Sequence, residues 1–384
     1  MKSVRMMRGK FASLYGGEAR IFRAPGRVNL IGGHVDYNEG WVLPIAIDRY
    51  CYVLARVRDD RVLRIHSEEF DETLEVVLNA PRGDTHHWSG YARGVVWSLE
   101  QAGVNTSGAD LLIASEVPVG SGLSSSAAVE VATAFALLGV SGQKMERTAL
   151  ARACQRAENE FVGMRCGIMD QLAACYGQQG HALWIDCRTL DVETVALDES
   201  QVRVVVANTM VKHALAGSEY NVRRQECEEA VRRIRESKPA VRALRDVTWA
   251  EIEELAASWP ENIRRRARHV TSEIARVQAA VEALRKSNFQ EMGRLMAASH
   301  ASLDADYQVT SPELNTMMRL ARELPGCLGA RMTGGGFGGC TVNLVSTAEV
   351  EEFAGELARR YRDATGVGAA ILICRASDGA IEVS

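Results

Sequence analysis

The sequence predicts an α+β fold in two lobes, and three observations carry that reading. At 384 residues the chain exceeds what one hydrophobic core usually fills. Its apolar share of 47% and charged share of 24% are those of a protein with a well-filled interior. The alternation of strand-like and helix-like text starts afresh after about residue 200, which sets a first lobe, 1–195, against a second, 196–384.

The elements follow in order. From Ile21 to Val77 the segments "RIFRAPGRVNLI", "GWVLPIAI", "RYCYVLARVR" and "VLRIHSEEF" are short, rich in β-branched and aromatic residues, and separated by Gly, Asp or Asn, so they predict strands. "HHWSGYARGVVWSLEQAG" has apolar residues at helical spacing and ends on Gly103, a residue suited to closing a helix. "ADLLIASEVPVG" predicts a strand that stops at Pro118, and "VEVATAFALLGV" a helix buried on all sides. Helices are expected over 145–162 and 168–177, then a strand and turn in "HALWIDCRTL". The second lobe opens on the strand "VRVVVANTM" and continues through a charged helical region, about 218 to 300. "GARMTGGGFGGCTVNLV" then gives strand, glycine turn and strand, and "AAILICRAS" a last strand.

Bulk properties exclude several functions. A formal net charge of -4 offers no general attraction to nucleic acid or anionic membrane, and the basic stretches "VRRIRESKPAVRALR" and "NIRRRARH" are flanked by acids, as solvated helix faces are. The nine cysteines show no zinc-type or C-x-x-C spacing and read as reduced, mostly buried thiols. The N-terminus lacks the apolar stretch of a signal peptide, and no run approaches a membrane span. The expectation is a cytoplasmic protein.

Three motifs can carry chemistry. "PVGSGLSSSAA", 118–128, places glycines and serines before a helix, where backbone N–H groups and the helix dipole can hold phosphate. Equally, Ser124, Ser125 and Ser126 can simply cap that helix. The stretch lacks both the third glycine of a dinucleotide fingerprint and the G-K-[ST] of a P-loop. "AENEFVGMRCGIMDQLAACYG" carries Glu158 and Asp170 on either side of a helix-breaking "VGMRCG", so both can face one cavity. Asp170 suits a helix cap, or a base beside a sugar hydroxyl. "MTGGGFGGC" has five glycines among 334–339, a cost in chain entropy that makes sense where another group approaches the backbone closely, or in a wide turn.

With "GRVNLIGGHVDYNEG", residues 26–40, these segments resemble, in order over about residues 20–345, the signature segments of the galactokinases within the GHMP small-molecule kinases. "GHALWIDCRTL" and "HALAGSEYNVRRQECEEA" are similar to galactokinase text between them. The resemblance implies a two-lobed GHMP kinase fold with the active site in the cleft between the lobes. It also implies ATP with magnesium, and phosphorylation of galactose at its anomeric hydroxyl.

Carried over position by position, it makes Asp170 the catalytic aspartate and Arg27 the residue that steadies Asp170 and the transferred phosphoryl. Gly120, Ser121, Gly122, Leu123, Ser124, Ser125 and Ser126 fall on the ATP loop, with Ser126 and Glu158 at the magnesium positions. Gly33, His34, Asp36, Gly167 and Tyr220 fall on the sugar side. Partners are then a small sugar and ATP, with no nucleic acid, no membrane, and a monomeric chain.

One residue departs from the resemblance. Galactokinases usually read "IGEH" where this chain reads "IGGH", so Gly33 stands in place of a Glu that in the family contacts the hydroxyl on carbon 6. Either water or Glu39 replaces that acceptor and galactose remains the substrate, or the vacancy adapts the site to galacturonic acid or L-arabinose, whose kinases are similar in having a small residue here. A sugar and ATP sensor without turnover is a further alternative, disfavoured by the intact "SSSAA", Arg27 and Asp170. Mevalonate and homoserine kinases lack the "GxHxDYxxG" pattern present here.

Overall fold

The computed structural model describes residues 4–78, 83–212 and 216–383. Residues 213–215, at the start of "HALAGSEY", lie outside the described residues. Three antiparallel-rich sheets organise the chain. The strands of the first are β1 (Arg20–Asn29), β3 (Pro44–Val57), β4 (Val62–Ser67), β5 (Glu72–Val77), β6 (Ala109–Ser115) and β13 (Ile381–Val383), ordered β13-β1-β3-β6-β4-β5. A small sheet joins β2 (Trp41–Val42) to β7 (His181–Asp186) and β8 (Val192–Ala196). The last has the order β10-β11-β9-β12, from β9 (Val202–Lys212), β10 (Cys327–Thr333), β11 (Gly338–Ser346) and β12 (Ala370–Cys374). The final strand thus returns to the first sheet, pairing with β1.

Helices cover these sheets. On one face of the first sheet lies α1 (Val4–Tyr15), whose Met7 and Phe11, four residues apart, bury against Tyr50, Tyr52 and Leu54. α2 (Gly90–Gln101) and α3 (Ser125–Val140) pack with β1 and β3 in the main core, beside α4 (Arg147–Arg156) and α5 (Met169–Tyr176). The second lobe adds α6 (Ala216–Arg235), α7 (Trp249–Leu255), α8 (Glu261–Arg285) and α9 (Phe289–Ser302). α10 (Pro312–Arg322) and α11 (Val350–Thr365) close a separate apolar cluster over β9 and β10. The main core itself runs from Phe22 to Ala380 and joins the two lobes. No helix among the described residues is long and apolar enough to cross a membrane.

Several expectations are corrected. "GWVLPIAI" and "RYCYVLARVR" are not two strands, since β3 runs unbroken from Pro44 through Val57. The helical region expected over 218 to 300 is divided into four α-helices, with breaks at "SKPAVRAL", "SWP" and "KSN". Arg266, in the "NIRRRARH" stretch expected to be solvated, is 2% exposed and pairs with Glu226 at 2.7 Å. The cysteines, by contrast, are as expected: all nine are free and seven are buried.

Two backbone devices aim the chain at the cleft. β1 carries a bulge between Pro25 and Arg27, opposite β3, and bulges re-aim side chains beside functional sites. Gly26 sits in that bulge, where a Cβ would lie 2.8 Å from the Leu123 carbonyl. At the other side α4 runs into a π-helical turn, Ala157–Val162, which ends at Gly163 with φ of 94°.

Candidate active site

A cavity of about 270 Å³ opens where β1, the Gly/Ser loop, α5, α6 and the β10–β11 glycine turn meet. Its walls include Arg27, Gly33, His34, Asp36, Glu158, Asp170 and Tyr220, so the predicted catalytic and sugar-side residues converge there, with Gly167 directly behind Asp36. Of the predicted ATP loop, Gly120, Gly122, Ser124, Ser125 and Ser126 line it. Ser121 and Leu123 do not: the Ser121 hydroxyl donates to the Pro118 carbonyl at 2.8 Å, and Leu123 is 1% exposed. Those two residues shape the loop and can offer only backbone to a ligand.

The centre of the site is Asp170. It lies within the first turn of α5 and is not its cap, Ile168 being in that position. Arg27 Nε donates to Oδ1 at 2.8 Å and Nη2 to Oδ2 at 2.7 Å, and Ser124 Oγ donates to Oδ2 at 2.5 Å. Three of a carboxylate's roughly four acceptor positions are filled, which leaves one for a substrate hydroxyl. Arg27 is also tied to the loop, its Nη1 to the Gly122 carbonyl at 2.8 Å and its backbone N–H to that of Leu123 at 3.1 Å. Ser124 takes a left-handed conformation, φ 57°, and makes no side-chain cap bond to α3. Its hydroxyl is spent on Asp170, so capping is not its role.

Asp36 approaches from the β1–β2 turn. Burial, and next the charge of Asp170, push its carboxyl up to about 6. A Cβ at position 167 would lie 1.9 Å from Asp36 Oδ2, so the glycine of "CGIMD" is what lets this carboxyl in. His34, at φ 62°, uses both ring nitrogens within the protein: Nε2 donates to the Gly335 carbonyl at 3.1 Å, and Nδ1 accepts from Tyr37 Oη at 2.9 Å. Burial pushes that imidazole down to about 3, so it is neutral. His34 therefore pins the first motif to the glycine turn, leaving only its ring to meet a ligand. Tyr220, on α6, stands beside it with ring centroids 5.4 Å apart.

The glycine turn packs backbone against backbone. A Cβ at Gly334 would lie 2.8 Å from Gly122 Cα, and one at Gly339 3.0 Å from the Ser121 carbonyl oxygen. The close approach implied by five glycines is the Gly/Ser loop itself. Across the same seam the Asn29 N–H donates to Thr333 Oγ1 at 3.0 Å.

Glu158 lies on the π-helical turn, 5% exposed. Burial, then the charge of Asp170, raises its carboxyl to about 7, opposed by hydrogen bonds from Ser126, Cys166 and Gln171. Gln171 Nε2 bridges it at 2.8 Å to Glu130 at 3.1 Å, a fully buried acid pushed well above the carboxylate range. Among the described residues no cluster of three or more His, Cys, Asp and Glu is built to hold a metal alone. Nucleotide-bound magnesium needs none, because it keeps waters and phosphate oxygens and takes one or two protein ligands. The Ser126 hydroxyl beside a carboxyl that its surroundings hold partly protonated suits such an ion, whose charge would relieve that penalty.

Beside position 33 stands a residue that sequence reasoning missed. A Cβ on Gly33 would lie 2.6 Å from Arg331 Nη2, and Arg331 lines the cavity. Its signal was a charged residue inside the otherwise apolar strand of "GARMTGGG". Glu39 does not fill the place, being drawn off by Arg188 at 2.5 Å and absent from the cavity wall. Gln171 and Cys166, which bond Glu158, and Glu130, which bonds Gln171, were missed too, although Glu130 gives the same signal, a charge inside an otherwise apolar helix.

Comparison with known proteins agrees with this geometry. Residues 9–57 match the galactokinase galactose-binding signature, 90–178 the N-terminal domain of GHMP kinases, and 280–363 their C-terminal domain. The chain is similar to a galactokinase of Roseiflexus sp., 48% identical over 97% of this chain and 95% of that one. A galactokinase of Chloroflexus aurantiacus is 47% identical over 94% and 92%. The structure of Lactococcus lactis galactokinase complexed with galactose superposes with a TM-score of 0.95, at 35% identity, over 99% of this chain and all of that one. The mevalonate kinase of Methanococcus jannaschii shares the fold, with a TM-score of 0.66 at 18% identity over 94% of this chain and 99% of that one.

Proposed function

The chain belongs to the galactokinases of the GHMP kinase superfamily, and from that premise we propose that it transfers the γ-phosphoryl group of ATP to the anomeric hydroxyl of galactose, giving galactose 1-phosphate and ADP. The observation that carries this reading is Asp170, held by Arg27 and Ser124 between the phosphate loop and the Asp36 side of one cavity. Phosphoryl transfer needs in-line placement and charge neutralisation more than covalent chemistry. Asp170 offers its free acceptor position to the sugar hydroxyl, orienting it and taking its proton as the new bond forms. The Arg27 guanidinium, fixed to Gly122 and Asp170, neutralises charge on the phosphoryl in flight.

The loop glycines Gly120 and Gly122, at φ of 66° and 81°, let backbone N–H groups approach the phosphates. Ser126 and Glu158 would hold magnesium, which supplies positive charge to the phosphates when bound. Asp36 and Tyr220 would hold the sugar ring, and Gly167 makes room for Asp36. Nine free cysteines suit the reducing cytoplasm. The lobe boundary expected at 195 falls within β8, so we draw it in the link 197–201, between Ala196 and Val202.

The test is ADP release by the purified protein with ATP and magnesium, offered galactose, mevalonate or homoserine. Turnover on galactose alone is expected. Turnover on either of the others in preference, or tight galactose binding without ADP release, would overturn the reading.

A further inference from the structure

Behind the cavity wall at Gly33 the charges do not balance. Glu273 is fully buried, and its Oε1 accepts from the Gly32 and Gly33 N–H groups at 2.9 and 3.1 Å and from Ser299 Oγ at 2.6 Å. Its Oε2 is taken by Arg276 Nε at 2.7 Å. Arg331, 1% exposed, forms no ion pair among the described residues. Its only hydrogen bond there is a long one, Nη1 to the Asn29 carbonyl at 3.3 Å, and its buried Nε has no partner. The imidazoles around it do not help, since burial keeps His34, His269 and His300 neutral. One carboxylate thus faces two guanidiniums, and the one with free N–H groups lines the cavity where Gly33 contributes no side chain.

A buried guanidinium without acceptors is costly unless something supplies them. We infer that Arg331 is the specificity-determining residue at the wall of the sugar cavity that Gly33 forms: beside Gly33 it reads the carbon-6 substituent as a hydrogen-bond acceptor. The inference rests on the sugar-kinase reading above, which delivers the anomeric hydroxyl to Asp170 and leaves the substituent on carbon 5 to meet another wall of the cavity. Arg331 has only donors, so it ranks an acceptor over a bare methyl group and takes a carboxylate as well as a hydroxyl. An acidic side chain at position 33 would close this subsite, because its Cβ starts 2.6 Å from Nη2 and its carboxylate would satisfy Arg331 internally.

The test is steady-state kinetics with galactose, 6-deoxygalactose and galacturonic acid, on the parent, Gly33→Glu and Arg331→Lys. In the parent, 6-deoxygalactose is expected to show a KM at least tenfold above that of galactose at similar kcat, with galacturonic acid turned over or competing at a constant within tenfold of the galactose KM. Gly33→Glu should lower kcat/KM for galacturonic acid relative to galactose at least 100-fold. Arg331→Lys, which keeps the charge, should retain galacturonic acid while weakening discrimination against 6-deoxygalactose. Galactose turnover in the parent without any effect of galacturonic acid, or a ratio unmoved by Gly33→Glu, would overturn the inference and leave the kinase reading standing. No galactose turnover in the parent would strike the kinase reading itself.

Discussion

Arg27 and Asp170 lie 143 residues apart in the chain and meet in a two-pronged ion pair, Nε to Oδ1 at 2.8 Å and Nη2 to Oδ2 at 2.7 Å. Each comes from a backbone irregularity: Arg27 from the bulge in β1, Asp170 from the first turn of a helix that follows a glycine break. Arg27 is 5% exposed, so the pair is shielded from water on the arginine side and open to the cavity on the other. Such a pair holds its carboxylate in one orientation, as a group that must meet a hydroxyl needs.

Asp170→Asn should fold with an unchanged near-UV spectrum and still bind galactose and ATP. Its kcat should fall about 100- to 10,000-fold, the range for loss of a positioned base. A kcat within tenfold of the parent would remove Asp170 from the chemistry.

Gly167→Ala tests Asp36. The added methyl would sit 1.9 Å from Asp36 Oδ2, so the carboxyl must move. The KM for galactose should rise at least tenfold with the KM for ATP little changed, and overpacking should cost about 1–3 kcal/mol of stability. A galactose KM equal to the parent's would mean that Asp36 does not hold the sugar.

Gly334→Ala tests the seam between the glycine turn and the phosphate loop. The position has φ of 79°, and a methyl there would press on Gly122 Cα at 2.8 Å. The KM for ATP should rise more than that for galactose. The reverse ordering would show that the seam does not shape the nucleotide side.

The buried histidines set a pH dependence. Burial pushes His269 down to about 4, and the unfolded chain protonates it near 6.5. Its neutral form therefore contributes stability that is present above pH 6.5 and lost as pH falls toward 4. Asp36, Glu158 and Glu130 are raised and act in the opposite sense over the same window, so the parent alone does not isolate the ring. His269→Gln, whose amide can still donate to the Gly33 carbonyl that His269 Nε2 reaches at 3.0 Å, should lose less stability between pH 7 and 5 than the parent does. Equal losses by denaturant unfolding would show that His269 is not the source.

Much of the site was legible because its chemistry sits in short runs. "GRVNLIGGHVDYNEG" runs from the end of β1 into a turn, and "PVGSGLSSSAA" and "CGIMDQ" each run from a loop into the start of a helix, so each motif delivers its polar groups at one place, and the resemblance supplied their roles. The misses have a common physical cause. Arg331, Glu130 and Gln171 act through burial against distant segments, and burial of a single polar residue in an apolar strand or helix leaves no period to read. α1 was missed because its buried face is only Met7 and Phe11, too sparse to signal a helix in a basic stretch. β13 was missed because three residues gain strand identity only from their partner β1. His34 lines the cavity as expected, but position alone did not show that its Nε2 ties the first motif to the glycine turn while its Nδ1 is held by Tyr37 within that motif.

The most direct measurement is phosphorus NMR of the product formed from galactose and ATP by the parent and by Asp170→Asn, with magnesium present. The account predicts one new resonance in the parent, coupled to the anomeric proton, growing in step with ADP and nearly absent in the variant. A phosphate on any other sugar position, or equal product from the variant, would contradict it.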